Sequence, residues 1–184
     1  MLGLVIIDVQ NAIVAGCGTS DRQPEIDRAL DATVSRLRTI KERARAAGVP
    51  VILVQNDGIE GHRLAVGTEG WEIRSEVAPQ DGDVVVHKSE CDSFFATDLE
   101  EQLEAHGVDH IVVGGCMTQF CVDTTVRRAV SLGYDVTLIA DGHATADRGG
   151  LRFDQIIAHH NATLDGFGAG DCRVDVKTAD AIAF

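Results

Sequence analysis

Apolar residues along this chain fall into two alternating rhythms. Leu4 to Val9, Val49 to Val54, Asp83 to His87, His110 to Val113 and Asp135 to Ala140 are short runs rich in Val, Ile and Leu. Runs of this length, bounded by Gly, Pro, Asp or Asn, predict strands covered on both faces. Between them the period changes. Ile26, Leu30, Val34, Leu37 and Ile40 or Lys41 recur at three- and four-residue steps, which predicts an amphipathic helix opened by Pro24-Glu25 and stopped by Gly48. Thr97-Asp98 caps a second helix through Leu99, Leu103 and His106, stopped by Gly107. Cys121, Val122, Thr125, Val126, Ala129 and Val130 mark a third, stopped by Gly133; Leu151 to Leu164 is a fourth. Cys172 to Val176 reads as a sixth strand, and Thr178 as the cap of a terminal helix.

Strands alternating with helices imply parallel βαβ units with right-handed crossovers. The fold class expected is therefore α/β: a Rossmann-like three-layer α/β/α sandwich with an open, mainly parallel sheet of about six strands. No repeat, linker or low-complexity segment interrupts the pattern, so residues 1–184 read as one domain. The longest irregular piece, Gln55 to Pro79, holds four glycines and the only tryptophan, Trp71. Long loops inside compact domains tend to carry function. Gly166, Gly168 and Gly170 lack the helix start that a phosphate loop needs and read as a turn.

Composition narrows the function classes. Aromatic residues are only 4% of the chain, so the core is aliphatic. A formal net charge of −13 argues against nucleic acid or an anionic membrane as partner. Met1 to Ile7 lacks a basic segment and reads as a first strand, not a signal peptide, and no apolar run is long enough to span a bilayer. Five cysteines, an odd number without C-x-x-C spacing, suit a reduced cytoplasmic protein.

In open parallel sheets ligands sit beyond the carboxyl ends of the strands. Asp8, Gln55, Lys88, Cys121 and Asp141 all lie at or just past such ends. Cys121 falls in a first helical turn, where unpaired N–H groups and the macrodipole favour an anion, depress a thiol pKa and could receive an oxyanion. A cysteine there is either a nucleophile or a small buried hydrophobe. Asp8 is either a proton acceptor or a turn-capping carboxylate. Lys88 is either its partner and the support of a thiolate or an exposed strand-end lysine. Trp71, Phe94 and Phe120 are candidates for an apolar pocket lining or for plain core. The rings of His159 and His160 face about 100° apart on a helix and do not readily share a metal. His143 reads as a loop histidine or pocket wall, Cys116 as packing behind the loop, and Cys17 as a residue of the loop after Asp8.

Three segments carry a resemblance. Asp8-Val9-Gln10-Asn11 is similar to the D-x-Q opening of the isochorismatase-like cysteine hydrolases. Val86-His87-Lys88-Ser89, with Ser93-Phe94-Phe95 downstream, resembles the family's lysine segment and its S-x-F. Gly115 to Thr125 resembles its G-x-x-T-x-x-C-V-x-x-T nucleophile motif. The resemblance implies an Asp8–Lys88–Cys121 triad in which Asp8 is the base, Lys88 stabilises the thiolate and Cys121 attacks a carboxamide-type carbon to give a thioester. It also implies a cis peptide before Met117, with the backbone N–H groups of Met117 and Cys121 as oxyanion hole. Gln10, Trp71, Phe94 and Phe120 are expected against substrate. The expected activity is hydrolysis of a C–N bond in a small amide, ureide or carbamoyl compound. The rivals are vinyl-ether hydrolysis and a non-catalytic thiol sensor or scaffold. Nicotinamidases of the superfamily carry a D-x-H metal pair after strand two. Here that place reads Gln55-Asn56-Asp57-Gly58, and Asp57 and His62 do not have that spacing, so no metal and no cofactor are expected. The family implies a homodimer or homotetramer.

Overall fold

The computed structural model describes residues 1–184. Its strands are β1 (Leu2–Ile7), β2 (Val51–Asn56), β3 (Val84–Lys88), β4 (His110–Cys116), β5 (Asp135–Ala144), β6 (Gly168–Ala169) and β7 (Cys172–Lys177). They form one sheet in the order β3-β2-β1-β4-β5-β7-β6. Every pairing is parallel except the β6–β7 hairpin. The helices are α1 (Gln23–Ala46), α2 (Leu99–Ala105), α3 (Asp123–Leu132) and α4 (Phe153–Leu164).

The period of two along each strand sorts its side chains into two cores. Leu4 and Ile6 of β1 join Leu53 of β2 and Val112 of β4 beneath the α1 stripe of Ile26, Leu30, Val34, Leu37 and Ile40. Val5, Ile7, Ile52, Val54, Ile111 and Val113 face the other way, against Leu99 and Leu103 of α2 and Val126, Ala129 and Val130 of α3. Each such fully buried side chain is worth about 1.5–3 kcal/mol in removed apolar surface, and the two cores together fix the sheet between its helical layers. Lys41, on the margin of the α1 stripe, is buried with its Nζ 2.8 Å from Asp83, which ties α1 to the turn before β3.

Five boundaries differ from the sequence expectation. The sheet has seven strands because the glycine-rich stretch read as a turn contributes the two-residue β6. Gly114 and Gly115 do not break β4 but belong to it. Gly115 has φ +129°, and a Cβ there would lie 2.1 Å from the Ile7 carbonyl oxygen, so only glycine lets β4 lie against β1 at this point. A register shift against β5 between Val113 and Gly115 lengthens β5 to Ala144. Cys121 is not in the first turn of α3 but in a wide π turn, Thr118–Val122, where the Val122 N–H reaches back to the Met117 carbonyl at 3.3 Å. After Thr178 there is one short turn, Ala179–Ala181, and no longer helix. Asp141 accepts the Ala179 N–H and Arg43 holds the Ala179 and Ile182 carbonyls, pinning that turn against α1.

Candidate active site

The chain runs outward from β1 to β2 and β3 on one side and from β4 to β5 on the other. The carboxyl ends of β1 and β4 therefore flank a switch point, where a parallel sheet opens a crevice. Asp8 follows β1 directly. Its backbone is left-handed (φ +50°) and its N–H is held by the Val54 carbonyl at 2.8 Å. Aspartate tolerates this conformation at modest strain. The effect is to turn the carboxylate across the strand ends, where it is 1% exposed.

Lys88 closes β3 and is 3% exposed. Its Nζ lies 2.8 Å from Asp8 Oδ2 and donates to the Glu90 carbonyl at 2.8 Å. A buried ion pair is retained only when its charges answer each other. Here neither Asp8 oxygen has a further, well-directed hydrogen bond, so the carboxylate keeps lone pairs free for an incoming proton. Asp8 and Cys121 line the same cavity of about 210 Å³, whose apolar part includes Ile13, Leu64, Met117 and Phe120. A larger hollow of about 360 Å³ on the α1 surface is lined by charged and polar side chains, none of them a cysteine.

The electrostatics of the three groups are coupled. Burial pushes the Asp8 carboxyl up, against the lowering influence of the Lys88 charge and the Cys121 thiol. Burial alone would lower the Lys88 ammonium, yet Asp8 and Cys121 hold it above the ordinary lysine value. The Cys121 thiol is pushed up, first by burial and then by the Asp8 charge, with Lys88 opposing. The depressed thiol expected from a helix start is thereby corrected. The Asp8 charge beside sulfur favours the protonated thiol, and the Lys88 charge opposes it.

The loop carrying Cys121 is braced on both sides. The Cys116–Met117 peptide is cis, in agreement with the family pattern. Thr118 Oγ1 lies 2.9 Å from His143 Nδ1, His143 Nε2 lies 2.8 Å from Asn161 Oδ1, and Asn161 Nδ2 donates to the Ala140 carbonyl at 2.9 Å. Because Asn161 spends its amide hydrogens on Ala140, its oxygen accepts from His143 Nε2–H, and Nδ1 accepts the Thr118 hydroxyl. His143 is 1% exposed, and burial lowers it to about 4, so the ring is neutral. On the far side Thr125 Oγ1 donates to Ser93 Oγ at 2.8 Å and accepts the Ser93 N–H at 3.1 Å, joining the S-x-F segment to α3.

Several residues expected at the site stand elsewhere. The Gln10 amide is spent on backbone, donating to the Asn56 and Trp71 carbonyls and accepting the Asn56 N–H. Phe94 is buried in the α2–α3 core and stacked on Tyr134, its centroid 5.9 Å away. Trp71 donates from Nε1 to Asp57 and stacks on His87, outside the cavity wall. Of the four substrate-contact candidates only Phe120 lines the cavity. Gln55 donates to the Trp71 carbonyl, Asp141 pairs with Arg36, and Cys17 packs against the α1 core. Cys116 is buried, which raises its thiol to about 12. His160 bonds the Ile156 carbonyl within α4, and the His159 and His160 rings meet edge-on.

Asn56, His62, Arg63 and Cys91 line the cavity and were not expected there as lining residues. The loop after β2 has no periodicity to place them. Its Gly58–Leu64 and Gly58–Val66 hydrogen bonds fold it back over the crevice. The D-x-H position offers no metal cage. Asp57 is engaged by Trp71 and His87, His62 Nδ1 accepts the Leu64 N–H, and no group of three His, Cys, Asp or Glu side chains gathers in ligating geometry. These residues do not fit a catalytic zinc, which needs about three protein ligands.

An open parallel sheet with a buried acid–ammonium pair and a thiol at its switch point defines a class, a Rossmann-like α/β protein with a cysteine in its ligand crevice. The isochorismatase domain matches residues 3–157, and this chain belongs to that family. A streptothricin hydrolase of Streptomyces noursei is 42% identical over 144 residues, which are 78% of this chain and 50% of that protein. The chain thus spans about half that relative's length. A crystal structure of an isochorismatase from Pseudomonas putida matches with a TM-score of 0.85 at 27% identity, over 99% of this chain and 90% of that one. N-carbamoylsarcosine amidase from Thermoplasma acidophilum matches with a TM-score of 0.78 at 26% identity, over 98% of each chain.

Proposed function

We propose that this chain is a metal-independent cysteine hydrolase that cleaves a C–N bond in a small amide, ureide or carbamoyl compound through a thioester. The observation that carries this reading is the buried Asp8, which lies 2.8 Å from Lys88 and lines the same cavity as the Cys121 thiol. The name of the similar N-carbamoylsarcosine amidase supports the bond class, and that of streptothricin hydrolase supports hydrolysis.

In the proposed cycle the Cys121 S–H gives its proton to Asp8 as sulfur attacks the carbonyl carbon. The raised thiol makes this base step necessary, and the raised carboxyl makes Asp8 a better acceptor than an exposed aspartate. Lys88 holds the negative charge as it moves from oxygen to sulfur. The Met117 and Cys121 N–H groups receive the oxyanion. Collapse expels the amine, which takes the proton from Asp8, and leaves a thioester. Water then gives a proton to Asp8 and attacks the thioester carbon; the acid leaves and the proton returns to sulfur. The His143 bridge keeps Thr118, and with it the turn bearing Cys121, in place throughout. The same reading extends to a cytoplasmic homodimer or homotetramer.

Steady-state kinetics over a panel of small amides, ureides and N-carbamoyl compounds tests it. Cys121→Ala is expected to lose turnover entirely, while Asp8→Asn and Lys88→Ala lose about 10²–10⁴-fold in kcat. Retained turnover in Cys121→Ala would refute the mechanism. A panel that the unaltered chain leaves intact would favour the sensor or scaffold.

A further inference from the structure

We infer that Arg63 recognises a carboxylate on the substrate, so that the compound cleaved is an acidic amide, ureide or carbamoyl acid. This rests on the proposed hydrolase reading for the bond cleaved, but the charge preference follows from the cavity itself. Arg63 lines the wall that Cys121 shares. Arg63 is an exposed residue whose Nε donates to the Ile13 carbonyl at 3.2 Å, which directs the guanidinium. Its two Nη groups have no protein acceptor, and Arg63 takes part in none of the ion pairs of the fold. In a chain with 29 acidic and 16 basic side chains, a cavity arginine without a carboxylate partner is not explained by scarcity.

The charges around it point the same way. Asp8, the acidic side chain of that wall, is answered by Lys88 at 2.8 Å, which leaves Arg63 as the unanswered charge among the lining residues. His62 beside it uses Nδ1 to accept the Leu64 N–H, which puts the proton of the neutral ring on Nε2 as another outward donor. Arg148, also free of ion pairs, lies 5.0 Å from the centroid of the Phe120 ring that forms part of the cavity wall. A planar guanidinium with both Nη groups free matches the two oxygens of a carboxylate. Attack at Cys121 and anchorage at Arg63 would then fix both ends of a short acyl compound.

Iodoacetate and iodoacetamide have nearly the same size and differ in charge, and both alkylate thiols. Their rates at Cys121, located by tandem mass mapping so that Cys91 is counted apart, read the field without requiring turnover. Arg63→Gln is expected to lower the iodoacetate-to-iodoacetamide rate ratio about tenfold, Arg63→Lys to restore part of it, and added salt to lower it in the unaltered chain. The iodoacetamide rate checks that each variant keeps its cavity. A ratio unchanged by Arg63→Gln overturns the inference. Failure of the hydrolase reading is a separate result, an absence of amide turnover with the labelling ratio intact.

Discussion

In the proposed mechanism Asp8, Lys88 and Cys121 are three ordinary side chains made reactive by mutual burial. None is activated alone. Exposed, the lysine would be a solvated cation and the aspartate a weak base. Sunk at the strand ends, the pair survives because each charge answers the other. His143 is the quieter case. It is held neutral at about 4, below an ordinary histidine, because burial disfavours its cation. The sign of the resulting pH dependence follows from linkage. Above pH 6.5 the ring is neutral folded and unfolded, and its contribution is complete. As pH falls from 6.5 to about 4 only the unfolded chain takes up the proton, so up to about 3 kcal/mol of stability is lost, and below 4 the loss levels off. Denaturant midpoints measured across pH 4–7 are expected to fall on acidification and to fall less steeply in His143→Gln. Equal slopes would show that His143 is not the group responsible.

At the scale of elements, β4 decides whether the site exists. Its last residues must lie against the β1 backbone so that Met117 and Cys121 emerge beside Asp8, and Gly115 makes that approach possible. Gly115→Ala places a methyl group on the Ile7 carbonyl in a backbone region that disfavours a side chain. About 3 kcal/mol or more of stability is expected to go, a fall of about 10 °C in melting temperature for a chain of this length. Calorimetry on the purified variant checks it, and a melting temperature within two or three degrees of the original would contradict the packing argument. The same strand marks a limit of reading by pattern. Paired glycines look like a strand break because their small size is visible in sequence, whereas the neighbour they accommodate is not. The π turn is hidden for a similar reason, since a three- and four-residue rhythm persists through one wide turn.

Across the whole molecule, the alternating order of strands and helices was legible because both periods are strong and every layer is aliphatic. The positions of Asp8, Lys88 and Cys121 at strand ends followed from that order. The cavity wall was not legible. Gln10, Trp71 and Phe94 look like ligand contacts by residue type, yet a buried amide is satisfied by nearby carbonyls, an indole N–H finds Asp57, and a phenyl ring finds a core. Arg63 and His62 reach the cavity through loop hydrogen bonds that no periodicity encodes. The buried Lys41–Asp83 pair was invisible for the same reason, being a match between side chains 42 residues apart in sequence. The central claim is that sulfur at Cys121, primed by Asp8 and Lys88, bonds to the carbonyl carbon of the substrate. A crystal structure with the aldehyde analogue of a cleaved amide tests this most directly. The account predicts continuous density from Cys121 Sγ to the former aldehyde carbon, with the new hydroxyl oxygen at the Met117 and Cys121 N–H groups. An aldehyde bonded to another residue, or seated in the cavity beside an unmodified Cys121, would contradict it.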